Sequence, residues 1–335
     1  MSVTLADIHE ARKTIAGTAL RTPLVPSIYM SGIAGHEFLL KLENTQPMGA
    51  FKLRGAASAV LRLPPDTPGV TCCSTGNHGR GVAFAARKRG ITAVICMSSL
   101  VPQTKVDGIK ALGAEVRIIG KSQDEALAES QRLAAEEGYV EISPFDDAHV
   151  IAGQGTIGLE LMEDRPDLIT ILVPLSGGGL AAGIAVAAKA IRPDIRIIGI
   201  SMDRGAAMHA SMQAGKPVEV EEVVSLADSL GGGIGAKNRL SFPLCNALLD
   251  EVVLVREEEI YQAMQALYFE DRIVAEGASV VGLAAVLSGK VKPAGAAATI
   301  VTGRNVDMGV FTDIISGRDV KLGGMNIHGR PWRQA

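Results

Sequence analysis

Apolar and polar positions along this chain follow two rhythms. Runs of four to six mostly apolar residues alternate with Ala-rich stretches of helical spacing. Thr4, with Asp7 three positions on, is placed to cap an opening helix over residues 5–15. From Gly69 the alternation becomes regular. It predicts a strand at Val70–Cys73, a helix at Asn77–Lys88 and a strand at Thr92–Met97. A helix at Pro102–Leu112 follows, with Pro at its start and Gly113 at its close. A strand at Glu115–Ile119, a helix at Gln123–Glu137 and a strand at Tyr139–Ile142 complete the block. A second block begins with a helix ending over Leu159–Glu163 and continues with strands at Thr170–Leu175, Arg196–Ser201 and Glu251–Val255, and a final strand at Ala297–Thr302. Its helices are Leu180–Ile191, Glu257–Arg272 and Ala278–Leu287, and the polar, Gly-rich interval Ser225 to Asn238 reads as a mobile connection.

Strands alternating with helices predict an α/β protein of parallel sheets covered by helices. Two such blocks imply two domains: 1–68 with 147–335 as the larger, and 69–146 as a smaller, mobile one. A ligand is expected in the cleft between them, at the carboxyl ends of the strands. Composition fits this picture. Of 335 residues, 47% are hydrophobic, only 4% are aromatic and 38 are glycine, which suits helices packed closely on buried strands. The net charge of -3, with no basic run, gives no reason to expect nucleic acid or an anionic membrane as partner. The charged start MSVTLADIHEARK is not a secretory signal, and every apolar stretch is broken before the ~18 residues a membrane span needs. Cys72, Cys73, Cys96 and Cys245 form no CxxC pair, so free thiols in a reducing, cytoplasmic setting are expected.

Candidate chemistry gathers in the turns. Lys52 follows a turn containing Pro47 and Gly49 and opens an Ala-rich helical run. A lysine held out of water there loses its proton more easily, the state needed to form a Schiff base, although a lone helical lysine is ordinarily a surface group. Ser176-Gly177-Gly178-Gly179-Leu180 lies between a strand and a helix. Its Cβ-free backbone can aim several N–H groups at an anion, with the positive helix end behind them. A tight turn alone explains a glycine triplet equally well. Ser74-Thr75-Gly76-Asn77-His78-Gly79 occupies a similar place and suits a carboxylate, or simply a helix cap. The hydroxyl of Thr302 stands at a strand end, where it can meet a ring nitrogen or belong to a plain turn.

Taken in order, these segments resemble the fold-type II pyridoxal-phosphate enzymes, in particular the serine/threonine dehydratase (threonine ammonia-lyase) and serine racemase family. The resemblance runs from about residue 5 to about residue 315 and is carried by residues 49–56, 74–79, 151–156, 176–180 and Glu276-Gly277-Ala278. It implies two parallel-sheet domains of the tryptophan synthase β-subunit-like architecture, pyridoxal 5'-phosphate as cofactor, an amino-acid substrate and a homodimer. It implies that Lys52 forms the Schiff base that holds the cofactor, that Phe51 packs against the cofactor ring and that Asn77 bonds its hydroxyl. Gly177, Gly178, Gly179 and Leu180 would bind the phosphate, Glu276 would line the cofactor site and Thr302 would meet the ring nitrogen. Ser74, Thr75, Asn77 and His78 would hold the substrate carboxylate, with Thr75 also a catalytic hydroxyl facing Lys52. Lys52, released by the substrate, would remove the Cα proton. A β-hydroxyl would leave as water, and the product would hydrolyse to a 2-keto acid and ammonia.

Departures from the family sharpen the reading. Ser201 and Ala207 stand where relatives carry metal-binding acids, so no metal site is expected. Arg80 and Arg304 replace the relatives' Gln and Gly. Either can pair with a second acidic group on the substrate, or with a protein carboxylate. Asp146 and Asp147 can receive a substrate amine or cap a helix. No effector domain is expected after residue 335, as in the catabolic dehydratases. The run 201–209 and the turn 302–305 most resemble the dehydratases of hydroxyectoine utilisation, which implies a substrate such as hydroxy-diaminobutyrate. The alternatives are a hydroxyaspartate dehydratase, a serine racemase, a β-replacement synthase or a non-catalytic amino-acid-binding protein. Thr75, where the racemases have Ser, and Asn77-His78-Gly79, where the synthases have Asn-Thr-Gly, speak against two of these.

Overall fold

The computed structural model describes residues 3–74, 76–99, 101 and 103–332. The chain opens with α1 (Leu5–Ile15), closed at its start by a reciprocal box between Thr4 and Asp7. β1 (Leu24–Pro26), α2 (Ile28–Ala34), β2 (Phe38–Lys41) and α3 (Lys52–Val60) follow. Next come β3 (Gly69–Cys73), α4 (Asn77–Arg89), β4 (Thr92–Met97), α5 (Gln103–Lys110), β5 (Glu115–Ile118), α6 (Gln123–Glu137) and β6 (Val140–Glu141). The chain then forms α7 (Ala148–Asp164), β7 (Thr170–Pro174), α8 (Gly179–Ile191), β8 (Arg196–Met202), α9 (Ala207–Ala214), α10 (Ser241–Leu248) and β9 (Glu251–Val255). It ends with α11 (Glu257–Asp271), α12 (Val281–Leu287), β10 (Ala297–Ile300), α13 (Met308–Ile315), β11 (Val320–Leu322) and β12 (Met325–Ile327).

Two main sheets result. The smaller runs β5-β4-β3-β6 and is parallel throughout. The larger runs β1-β2-β10-β7-β8-β9, with only β1 antiparallel to its neighbour. Its central strands β7 and β10 are buried along their whole length, which is why they read as unbroken apolar runs rather than alternating ones.

The structure departs from the sequence expectations at several points. The strand expected over Ala297–Thr302 stops pairing at Ile300, because the Thr302 carbonyl turns to accept the Phe51 N–H at 2.9 Å. It is not the last strand, since the β11–β12 hairpin follows. The helix expected over Ala278–Leu287 is a 3-10 turn at Gly277–Val280 followed by α12.

Helices α3, α7 and α8 stack through glycines. A Cβ on Gly153 would sit 2.7 Å from Gly55 Cα, and one on Gly183 would sit 2.6 Å from Gly155 N, so no larger residue fits at either crossing. Behind α3 lies a buried charge cluster. Arg54 bonds Glu43 through Nε (2.9 Å) and Nη2 (2.8 Å), and Glu160 through Nη1 (2.6 Å) and Nη2 (2.9 Å). Lys41 completes it, 2.6 Å from Glu160. Among the described residues, no helix is long and apolar enough to cross a membrane.

Candidate active site

Lys52 enters the site from the first turn of α3. The turn before it needs Gly49, whose φ of +85° is unfavourable for any residue with a side chain. That turn is stitched to the loop after β10: Arg304 N–H donates to Gly49 O (2.9 Å), and Asn305 Nδ2 donates to Met48 O (3.1 Å). The Lys52 side chain is half-buried, with Nζ donating to Pro144 O at 2.8 Å and lying 5.4 Å from the Phe51 ring centre. Desolvation lowers its pKa to about 8, against the opposing pull of Glu276. About a tenth of the amine is therefore neutral at pH 7, against well under a thousandth for an ordinary lysine.

The glycine turn stands at the start of α8. Gly178 adopts φ +88°, and a Cβ there would lie 2.6 Å from Met208 Cε and 2.9 Å from Cys245 Sγ. Gly177 O accepts from Ser241 Oγ (2.7 Å), while Gly178 O accepts from Ala182 N (2.8 Å) and Cys245 Sγ (3.5 Å). No acceptor among the described residues takes the N–H groups of Gly177, Gly178, Gly179 or Leu180, and α8 has no side-chain cap. Phe145 packs against Gly177 and Gly179, and its neighbour Pro144 holds Lys52, so one stretch of chain touches both the amine and the turn. The start of α4 is a second uncapped helix end, with Gly76 at its N-cap position.

Between these ends lies a buried polar chain. Glu276 is 4% exposed, and burial raises its pKa to about 7. Asn77 Nδ2 donates to both of its oxygens, at 2.9 and 3.1 Å, and Asn77 Oδ1 accepts from Asn305 Nδ2 at 2.6 Å. Ser229 Oγ reaches Glu276 at 3.4 Å. Thr302 is buried, with its hydroxyl 3.0 Å from Ser279 Oγ; Ser279 in turn bonds the Gly303 carbonyl (2.9 Å) and N–H (2.8 Å). Sequence reasoning missed Ser279, Ser229, Asn305, Ser241 and the Pro144 carbonyl. Only Asn305, beside Thr302 in sequence, carried any signal.

The remaining candidates divide. His78 is buried, and desolvation lowers its pKa to about 3, so the ring is neutral. Its Nε2 lies 2.7 Å from the Ile142 carbonyl and must therefore be the protonated nitrogen, leaving Nδ1 a buried acceptor without a partner. To a carboxylate, His78 can offer only its backbone N–H. Ser74 Oγ accepts the Gly76 N–H at 3.4 Å. Thr75 lies outside the described residues. The two aspartates do not wait for a substrate amine. Asp147 caps α7 through Val150 N (2.8 Å), and Asp146 accepts the N–H groups of Arg239 (2.9 Å), Leu240 (2.8 Å) and Ser241 (2.9 Å) ahead of α10. Among the described residues Arg80 and Arg304 make no ion pair. Nor do the described residues bring three His, Cys, Asp or Glu together as a metal site.

The donor set fits a phosphorylated aldehyde with a ring nitrogen: a lysine of lowered pKa, a cradle of unused N–H groups and a buried neutral hydroxyl. The comparisons agree. The family model described as pyridoxal-phosphate dependent enzyme matches residues 15–303. A protein of Sinorhizobium fredii named putative threonine dehydratase is 53% identical over 302 residues, covering 90% of this chain and 91% of its own. The L-threonine ammonia-lyase of Thermotoga maritima is 42% identical over 288 residues, 85% of this chain and 71% of its own. The structure of maize serine racemase superposes with a TM-score of 0.89 at 35% identity, covering 93% of this chain and 97% of that one. The chain belongs to the pyridoxal-phosphate-dependent enzyme family, with the fold-type II architecture, and is an ammonia-lyase of that family.

Proposed function

We propose that this enzyme deaminates a 3-hydroxy amino acid of the threonine or serine kind, by loss of water, to a 2-keto acid and ammonia. The observation that carries the reading is the pairing of a lysine of pKa about 8 with a glycine cradle across Pro144 and Phe145, in a chain half identical to a putative threonine dehydratase. The resemblance of residues 201–209 and 302–305 extends the proposal to hydroxy-diaminobutyrate, a substrate of hydroxyectoine breakdown.

In this reading Lys52 anchors the cofactor, Phe51 flanks it, and Gly177, Gly178, Gly179 and Leu180 donate to its phosphate. Thr302 faces the ring nitrogen, and Asn77 and Glu276 flank the ring. When bound, pyridoxal phosphate supplies an electron-poor ring conjugated to the substrate nitrogen, which acidifies the Cα proton. Lys52, once the substrate amine has taken its place on the cofactor, would take that proton; its lowered pKa makes it a competent base near neutrality. Thr302, a neutral hydroxyl, cannot hold a ring nitrogen protonated as a carboxylate would. A weaker electron sink favours prompt loss of the β-hydroxyl over transamination. The free N–H groups at the start of α4, with Ser74, receive the substrate carboxylate.

The test is a spectrum of the purified protein with pyridoxal phosphate, before and after serine, threonine, the hydroxyaspartates and hydroxy-diaminobutyrate, with ammonia and keto acid assayed alongside. A visible band abolished by Lys52→Ala, with ammonia from one of these substrates, is the expected result. A band without ammonia from any of them overturns the dehydratase reading.

A further inference from the structure

An anion cradle made of backbone N–H groups is only as good as the aim of its peptide planes. In a trans peptide the carbonyl of one residue points opposite to the N–H of the next. Whatever holds the carbonyls of Gly177 and Gly178 therefore sets the direction of the Gly178 and Gly179 N–H groups.

Helix α10 reaches both carbonyls, although Gly178 O is held first by the Ala182 N–H within α8, at 2.8 Å. Ser241 Oγ donates to Gly177 O at 2.7 Å, and Cys245, one turn on, approaches Gly178 O at 3.5 Å. Ser241 is fully buried, and the direction of its proton is fixed. Asn238 Nδ2 donates to Ser241 Oγ at 2.8 Å, and the amide of Asn238 is oriented by Phe242 N–H on its Oδ1, also at 2.8 Å. The Ser241 hydroxyl thus has one acceptor left for its own proton, the Gly177 carbonyl. The start of α10 is pinned in turn by Asp146, whose two oxygens take the N–H groups of Arg239, Leu240 and Ser241. Asp146 follows Phe145, which packs against Gly177 and Gly179. One connected assembly therefore borders the turn.

We infer that Ser241 and Asp146 are positioning residues for the cofactor phosphate: Ser241 rotates the Gly177–Gly178 peptide so that its N–H faces the anion, and Asp146 holds Ser241 in place. Neither touches the phosphate. This rests on reading the glycine turn as the phosphate site.

The experiment measures the affinity of the apo-protein for pyridoxal phosphate and for pyridoxal, which lacks the phosphate, in wild type, Ser241→Ala, Asp146→Asn and Gly178→Ala. Ser241→Ala is expected to lose about tenfold in affinity for pyridoxal phosphate, because a buried carbonyl is left without its donor, while pyridoxal binds unchanged. Asp146→Asn is expected to lose about threefold with the same selectivity, and it carries the test if Ser241→Ala does not fold. The phosphorus-31 resonance of the bound cofactor should move in both. Equal losses for the two ligands, or no loss for either, overturn the inference. If Gly178→Ala lowers the phosphate preference and the other two do not, the inference alone fails. If Gly178→Ala leaves the preference intact as well, the turn is not the phosphate site and the reading beneath it fails.

Discussion

One amide nitrogen of Asn77 holds both carboxylate oxygens of Glu276, at 2.9 and 3.1 Å. The oxygens of one carboxylate subtend too narrow an angle to take both diverging N–H bonds, so one proton is shared between them, and Asn77 Oδ1 is taken by Asn305. The second proton of that nitrogen points away from Glu276, so Asn77 can donate to a ring hydroxyl or a substrate carboxylate while it stays on Glu276.

The protonation of Glu276 is therefore open to measurement. Its folded-state pKa of about 7 is raised above the ordinary carboxyl value of 4.5 by burial. Between those two values the folded protein holds a proton that the unfolded chain has released. Stability thus falls as pH rises across the window, and the penalty is complete above about 7. Glu276→Gln removes the penalty and keeps an acceptor for Asn77. Urea unfolding of the apo-protein should show the variant roughly 3 kcal/mol ahead of wild type near pH 8 and nearly level with it near pH 4.5. An equal gap at both pH values would refute the shifted carboxyl.

Lys52 gives a second pH signature. Desolvation lowers its pKa to about 8, so the neutral amine grows in as pH rises through that value. The rate at which the apo-protein's Lys52 is captured by an aldehyde, followed by borohydride trapping and peptide mapping, should be half-maximal near pH 8, roughly two units below an ordinary lysine. Because Glu276 opposes the shift, Glu276→Gln should move the midpoint lower still. A midpoint above pH 10 would show that Lys52 is hydrated.

Arg54 offers a stability test away from the chemistry. It neutralises Glu43 and Glu160 in a cluster where Arg54 is 1% exposed and Glu43 is fully buried. Arg54→Met strands buried carboxylates and should cost about 3–5 kcal/mol in denaturant unfolding. Adding Glu43→Gln should recover part of that loss, since removing both partners is milder than removing one. A single-variant cost below about 1 kcal/mol would mean that water reaches the cluster.

What the sequence disclosed, and what it hid, follows from distance along the chain. Lys52, the glycine turn and the cap at Thr4 depend on neighbours within a few residues, and spacing alone exposes them. β1 and β2 are only 3 and 4 residues long, too short for a periodic signal, and exist because β2 finds β10 across the whole chain. The site's supporting groups are equally remote: Pro144 reaches Lys52 across 92 positions, Ser241 reaches Gly177 across 64 and Asn305 reaches Asn77 across 228. Asp146 shows the limit best. Its capping role was legible, but the helix it steadies is not the one that follows it; the backbone it binds lies 93 to 95 positions on.

The order of strands in the larger sheet sets a timetable for biosynthesis. The smaller sheet uses only residues between Gly69 and Glu141 and can assemble as soon as that stretch leaves the ribosome. The larger sheet cannot close until β10 slides between β2 and β7, and Ile300 must be made before it does. At ordinary elongation rates the interval is roughly 8–30 s. Throughout it Lys52 waits without Thr302, and β2, joined by β7 once Pro174 is made, stands as an apolar edge open to the wrong partner. A ribosome that stalls before residue 297 therefore leaves an aggregation hazard rather than a weak enzyme.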